Sequence, residues 1–181
     1  MKQIKEFINE KLIINKNTKI DKYHYHPKNR TELEKLVKKL IKERGNEADL
    51  NDIDTSKIKN MNALFKKSVF DGNISDWDVS NIEYMGGMFY DSEFTGKNNN
   101  FSNWDVSNVK DMSIMFAGSK FTGEKDDLLN WNVSSVEYMS RMFDSSKFNG
   151  DISNWKLKNY CEKYNLFDNC PLEKNPPKWY K

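Results

Sequence analysis

Cysteine, histidine, proline and long apolar runs are all scarce in this 181-residue chain, and each shortage closes a class of function. The two cysteines, Cys161 and Cys170, both fall in the C-terminal part and do not form the disulfide framework of a small secreted domain. They read as reduced thiols, and they lack the paired C-x-x-C spacing of a zinc site. The two histidines, His24 and His26, lie near the N-terminus, so no nucleophile-base pair with a serine or cysteine is legible. At i and i+2 on a strand they face one way and could hold a metal, but a third ligand is not evident, and the flanking Tyr23 and Tyr25 suit strand packing. There is no G-x-x-x-x-G-K-[ST] phosphate loop, and Gly86-Gly87 alone is a weak signal. The expectation is a protein that is not an enzyme and that holds no metal and no cofactor.

No stretch approaches the roughly 18 to 20 apolar residues of a membrane span. The N-terminal MKQIKEFINEKLIIN is interrupted by Lys5, Glu6, Glu10 and Lys11, so it lacks the apolar core of a signal peptide. The chain therefore reads as soluble, intracellular and monomeric.

Charge is unevenly placed although the net charge is only +2. Residues 1–48 carry 13 Lys/Arg against 7 Asp/Glu, residues 49–155 carry 10 against 17, and residues 156–181 carry 6 against 3. An acidic middle lies between two basic ends. It points to a protein partner with a basic surface and disfavours nucleic acid.

What the chain does have is a repeat. ISDWDVSNIEYMGGMF at residues 74–89 returns as FSNWDVSNVKDMSIMF at 101–116, and Trp77, Trp104, Trp131 and Trp155 lie 27, 27 and 24 residues apart. One unit is 24 residues, enlarged twice at the same corner, after Gly96 and after Gly123. A fainter unit starts at Leu50. Such periods mark arrays in which a unit cannot bury its apolar face alone and stacks on its neighbours. Within a unit Trp77 and Val79 alternate with Asp76 and Asp78, the period of a half-buried strand. Ser80-Asn81 supplies turn chemistry. Ile82, Met85 and Phe89 then recur at spacings of three and four, which suits a short helix packed inward. The predicted fold class is α/β: a solenoid whose coils each hold a short parallel strand and a short helix. Inward columns are Trp77, Trp104, Trp131, Trp155; Val79, Val106, Val133, Leu157; Met85, Met112, Met139; and Phe65, Phe89, Phe116, Phe143, Phe167.

The ends differ from the middle, as capping units do. Residues 1–48 are expected to form an α/β capping module, with a weak helix over 3–14, a strand over 19–26, and an amphipathic helix in RTELEKLVKKLIKERG. In that helix Thr31 and Glu34 have capping-box spacing, Leu33, Leu36, Val37, Leu40 and Ile41 share a face, and Gly45 ends it. Its other face carries Lys35, Lys38, Lys39 and Lys42. Residues 49–172 form about five coils, and 173–181 a tail or cap, in which Trp179 and Tyr180 either fold back or serve as a partner-binding tail.

The frame I-S-x-W-D-V-S-N-V-x-x-M-x-x-M-F followed by F-x-G, over about residues 50–172, resembles the roughly 25-residue repeat of BspA-like leucine-rich-repeat surface proteins, such as mycoplasmal lipoproteins. YHYHPKNRTELEKLVKKLI resembles the leader module that often precedes such repeats. The resemblance implies a leucine-rich-repeat-like solenoid, a role in adhesion or protein recognition, and a place at the cell surface, with no catalytic residues to carry over. An intracellular inhibitor or effector, encoded by a virus or mobile element and binding a nucleic-acid-handling protein by its acidic face, is the competing reading.

Two sets of residues are candidates for binding. Asp54, Asp78 and Asp105 share one frame position, so stacking brings like charges together unless a basic partner or cation compensates; alternatively each accepts hydrogen bonds from backbone N–H groups or serine hydroxyls of its own turn. The second set comprises the positions that vary in size and polarity: Ala63, Gly87, Ile114, Arg141 and Lys66, Tyr90, Ala117, Asp144. Of these, Gly87, Tyr90, Ile114, Arg141 and Asp144 are the favoured contacts. Lys59, Glu83, Lys110 and Glu137 alternate in sign and read as a structural ladder between coils.

Overall fold

The computed structural model describes residues 22–124 and 128–180. The helix expected over 3–14 and the first residues of the strand expected over 19–26 lie outside these residues. Helix α1 runs Arg30–Arg44. Its N-cap is Asn29, whose side-chain oxygen accepts from the Glu32 N–H at 3.0 Å, while the Glu32 carboxylate accepts from the Lys28 N–H at 2.8 Å. The cap is thus Asn29 with Glu32, not Thr31 with Glu34. Gly45, at φ 90°, ends the helix and donates its N–H to the Ile41 carbonyl. Leu33, Val37 and Leu40 are buried against the first coil, with Leu36 and Ile41 packed beside them.

After α1 the chain winds into stacked coils, and their backbone differs from the expected strand and helix. No strand or sheet forms among the described residues. Instead, six isolated parallel bridges mark the stack, four of them in one column, Asn60–Tyr84–Asp111–Tyr138–Glu162. The leucine-rich-repeat α/β solenoid is therefore overturned, and so is the α/β cap: from Lys22 to His26 there is one bridge, Tyr25 to Ile53, and no strand.

The stretch predicted as a short helix is a run of overlapping turns. Met88, Tyr90 and Ser92 donate to carbonyls three residues back, those of Met85, Gly87 and Phe89. The residues between donate out of the coil: Met85, Gly87, Phe89 and Asp91 give their N–H groups to the carbonyls of Asp111, Ser113, Met115 and Ala117 of the next coil, at 2.8 Å each. A helix needs every one of those N–H groups for its own i−4 carbonyl. It also needs φ negative throughout, whereas each coil places two residues four apart in the left-handed region: Ala63 and Lys67, Gly87 and Asp91, Ile114 and Gly118, Arg141 and Ser145, Asn165 and Asn169. Turns of this kind bring apolar residues inward at spacings of three and four, the same signature as a helix.

The Trp-Val stretch fails as a strand for a parallel reason. The Trp77 N–H turns back to the Ile74 carbonyl, and this side of the coil is tied to its neighbour by side chains. The indole N–H groups of Trp77, Trp131 and Trp155 donate to the carbonyls of Leu50, Phe101 and Leu128 at 2.9, 2.9 and 2.7 Å. The Trp104 indole nitrogen is buried without a partner. Thr55 Oγ1 donates to the Asp78 carbonyl at 2.9 Å.

Inside, the columns are continuous. The rings of Phe65, Phe89, Phe116, Phe143 and Phe167 stack nearly parallel, with centroids 5.4, 5.4, 5.9 and 6.0 Å apart. A second phenylalanine column, Phe70, Phe94, Phe121 and Phe148, runs beside it. Each fully buried side chain of this size contributes about 1.5 to 3 kcal/mol by removal from water. Neighbouring coils approach so closely that a Cβ on Gly72 would lie 2.0 Å from the Ala48 carbonyl oxygen, so no other residue fits there. In the first enlarged corner Asn99 is buried, accepting from the Ile74 N–H and donating to the Gly72 carbonyl. At the far end the tail folds back: Trp179 stacks on Trp155 at 5.9 Å and donates to the Ile152 carbonyl, so it occupies the next tryptophan place 24 residues on.

Candidate functional site

The two candidate sets lie on different parts of each coil. Tyr90, Ile114, Arg141 and Asp144 come from three successive coils and meet in one cleft of about 280 Å³, completed by Asp91, Ala117, Gly118 and Ser145. Gly87 adjoins it, since a Cβ there would lie 3.4 Å from Ile114 Cδ1 and 3.6 Å from Tyr90 Cβ. Arg141 donates from Nε and a terminal nitrogen to Asp144 Oδ2, at 2.8 and 2.6 Å, and Ser145 donates to Oδ1 at 2.8 Å. Asp144 is buried while Arg141 stays exposed. Burial pushes the Asp144 carboxyl up, but the Ser145 hydroxyl and the Arg141 guanidinium outweigh it and hold the carboxyl below its ordinary range. The pair therefore presents a fixed guanidinium at the cleft edge, beside the Tyr90 ring.

Asp91, Gly118 and Ser145 are absent from the sequence-based set. They occupy the second left-handed position of each coil, filled along the stack by Lys67, Asp91, Gly118, Ser145 and Asn169. Four of these five are types that adopt that conformation or turn readily, a signal visible once the frame is aligned.

Asp54, Asp78 and Asp105 do align, and each serves its own turn. Asp54 Oδ1 accepts from the Ser56 N–H at 3.0 Å, Asp78 Oδ1 from the Ser80 N–H and hydroxyl at 3.0 and 2.6 Å, and Asp105 Oδ1 from the Ser107 N–H at 3.1 Å. Asn132 does the same for Ser134 in the next coil, so the position requires an acceptor oxygen and not a charge. The Ser107 hydrogen bonds hold the Asp105 carboxyl below its ordinary range. Asp54 also meets His26 Nδ1 at 3.1 Å. Asp78 and Asp105 form no ion pair among the described residues.

Elsewhere the charges close on one another. Glu83 sits between Lys110 at 2.7 Å and Lys59 at 3.6 Å, whereas Glu137 pairs with Lys158 at 3.6 Å. His24 faces Asp52 at 3.4 Å, apart from the His26–Asp54 pair, and no three His, Cys, Asp or Glu side chains converge as metal ligands among the described residues. Cys161 and Cys170 are free and buried, and burial raises both thiols above their ordinary range. No helix among the described residues is long and apolar enough to cross a membrane.

Stacked coils of one repeated unit, with a varied cleft on one side, define a repeat protein whose coils are built from turns. The chain belongs to the family described as Mycoplasma protein of unknown function, DUF285, whose model matches residues 31–125 and again residues 91–179. Overlapping matches are what a repeating frame produces. No curated protein and no solved structure matches the chain.

Proposed function

We propose that the chain is a non-catalytic recognition module that binds a protein partner through the side of the stack where Tyr90, Ile114, Arg141 and Asp144 meet. The observation that carries this reading is the convergence of side chains that differ from coil to coil, on a scaffold whose inward columns hardly differ. Two features support it. Ile114 holds a left-handed backbone at φ 50°, a conformation that costs a side-chain-bearing residue about 1 to 2 kcal/mol, and its side chain lines the cleft. Tyrosine and arginine side by side are the types that anchor protein interfaces. The charges of Asp78 and Asp105, which meet no cation within ion-pair distance among the described residues, favour a basic surface on the partner. The resemblance of the repeat frame to bacterial surface proteins supports adhesion as the setting.

The test is affinity capture with the full chain from lysate of source cells, followed by titration of the captured protein in purified form. Tyr90→Ala with Arg141→Ala should weaken binding by about tenfold or more, measured well below a melt that falls because the buried Asp144 loses its partner. Asp78→Asn with Asp105→Asn should reduce the salt dependence of the affinity. Equal affinity of the parent and the Tyr90/Arg141 variant would remove the cleft from the account.

A further inference from the structure

Every interior interface of the stack repeats the same four backbone donors, beside bonds that run the other way, such as the Glu162 N–H to the Glu137 carbonyl. Met139, Arg141, Phe143 and Ser145 give their N–H groups to the carbonyls of Glu162, Tyr164, Leu166 and Asp168. One coil further on, the same register falls on Lys163, Asn165, Phe167 and Asn169, and the tail gives an acceptor to one of the four. The Asn169 N–H donates to Glu173 Oε2 at 3.0 Å, and the Phe167 ring lies against Trp179 and Tyr180. The Lys163, Asn165 and Phe167 N–H groups have no acceptor among the described residues, and of the three only Phe167 is packed against the rings of the tail. Lys163 and Asn165 border a cleft of about 610 Å³ lined by residues 159–165 and Tyr180, with Tyr160 and Tyr164 67% and 73% exposed. Where Met85, Met112 and Met139 are buried, this coil has Lys163, which forms no ion pair among the described residues.

We propose that this edge is a docking site for an acidic peptide segment of another protein, which adds to the stack as a further half-coil of turns. Two carbonyls of the segment, two residues apart, accept from Lys163 and Asn165, and a carboxylate on the residue between them meets the Lys163 ammonium. Donors on alternate residues, both facing the open end, are met at each interior interface by carbonyls two residues apart on a run of overlapping turns, and main-chain bonds of this kind are how a segment adds to an open backbone edge. The interface continues one that the chain already builds four times. Its charge selects an acidic occupant, because residues 156–181 carry 6 Lys/Arg against 3 Asp/Glu. A lysine at this place also closes the core to solvent, but that does not account for two donors left uncovered by the tail. A second copy fits less well, since the carbonyl end of its stack is covered by α1, with Arg30 Nε bonded to the Asn62 carbonyl at 3.0 Å.

The probe is a synthetic copy of residues 136–147 carrying Met139→Glu, which holds the acceptor register of an interior coil. With saturating peptide, amide exchange of the full chain should slow by about tenfold or more at Lys163 and Asn165. Lys163→Glu should weaken binding by about tenfold, from the reversed charge beside the carboxylate. Three results each overturn the proposal: unchanged exchange at the two amides, protection that grows with protein concentration in the absence of peptide, or equal affinity for the peptide that keeps Met139. The edge shares no residue with the side cleft, so this proposal and the reading of that cleft fail separately.

Discussion

The two ends of the stack are closed by opposite chemistry. At the N-terminal end the first coil turns carbonyl oxygens outward, and α1 covers them with three buried aliphatic side chains and the Arg30 guanidinium on the Asn62 carbonyl. At the C-terminal end the last coil turns N–H groups outward, and the tail covers them with two 3₁₀ turns, the half-buried Trp179 and the Glu173 carboxylate on the Asn169 N–H. A parallel stack has direction, as a helix does: a cation suits its carbonyl end and an anion its N–H end. The N-terminal cap is broad and apolar, whereas the C-terminal cap is narrow and leaves part of the edge open.

That contrast is sharpest in the buried side chains. Leu40→Ala under α1 should destabilise the protein by about 2 to 5 kcal/mol, because a fully buried leucine leaves a cavity. Trp179→Ala should cost less, about 1 to 3 kcal/mol, because the indole is only half-buried. Chemical denaturation of both variants checks this, and equal losses would break the contrast. Next come the polar caps. Arg30→Met should cost about 1.5 to 3 kcal/mol, the range for hydrogen bonds to charged groups. Glu173→Gln, exposed and still able to accept, should cost under about 1 kcal/mol.

A pH titration separates the ends again. Arg44 clasps Asp52 with two hydrogen bonds of 2.9 and 2.8 Å and holds its carboxyl below the ordinary range. A lowered folded pKa stabilises fully above the unfolded value, about 3.9 for aspartate, and that contribution is lost as pH falls through the folded value. The stability gap between the parent and Asp52→Asn should therefore be constant from neutral pH down to about pH 5 and close below about pH 4. A gap that persists in acid would mean that the pair does not tie α1 to the first coil. The smallest effect belongs to the middle of the stack. Asp78→Asn with Asp105→Asn should change stability by less than about 0.5 kcal/mol, because Asn132 makes the same turn bond.

Much of this arrangement was legible in the repeat frame. The period located the coils, the recurrence of Trp, Met and Phe located the core, and Gly45 located the end of α1. The backbone inside each coil was not legible, because the spacing of Ile82, Met85 and Phe89 follows equally from a helix and from overlapping turns. Only the left-handed residues separate the two, and side-chain-bearing residues such as Ile114 and Arg141 conceal them. Trp179 escaped notice as a member of the tryptophan column because none of the rest of the frame accompanies it. At the candidate site, variation among the coils pointed to Tyr90, Ile114, Arg141 and Asp144. The Asp91, Gly118 and Ser145 that complete the cleft were hidden by their similarity to ordinary loop residues.

The account stands on one coil handing its alternate N–H groups to the next, and through-hydrogen-bond scalar couplings read that directly. The prediction is a set of cross-peaks joining the amides of Met85, Gly87, Phe89 and Asp91 to the carbonyl carbons of Asp111, Ser113, Met115 and Ala117. Couplings from Phe89 and Tyr90 to the carbonyls of Met85 and Gly86 would restore the helix and contradict the account.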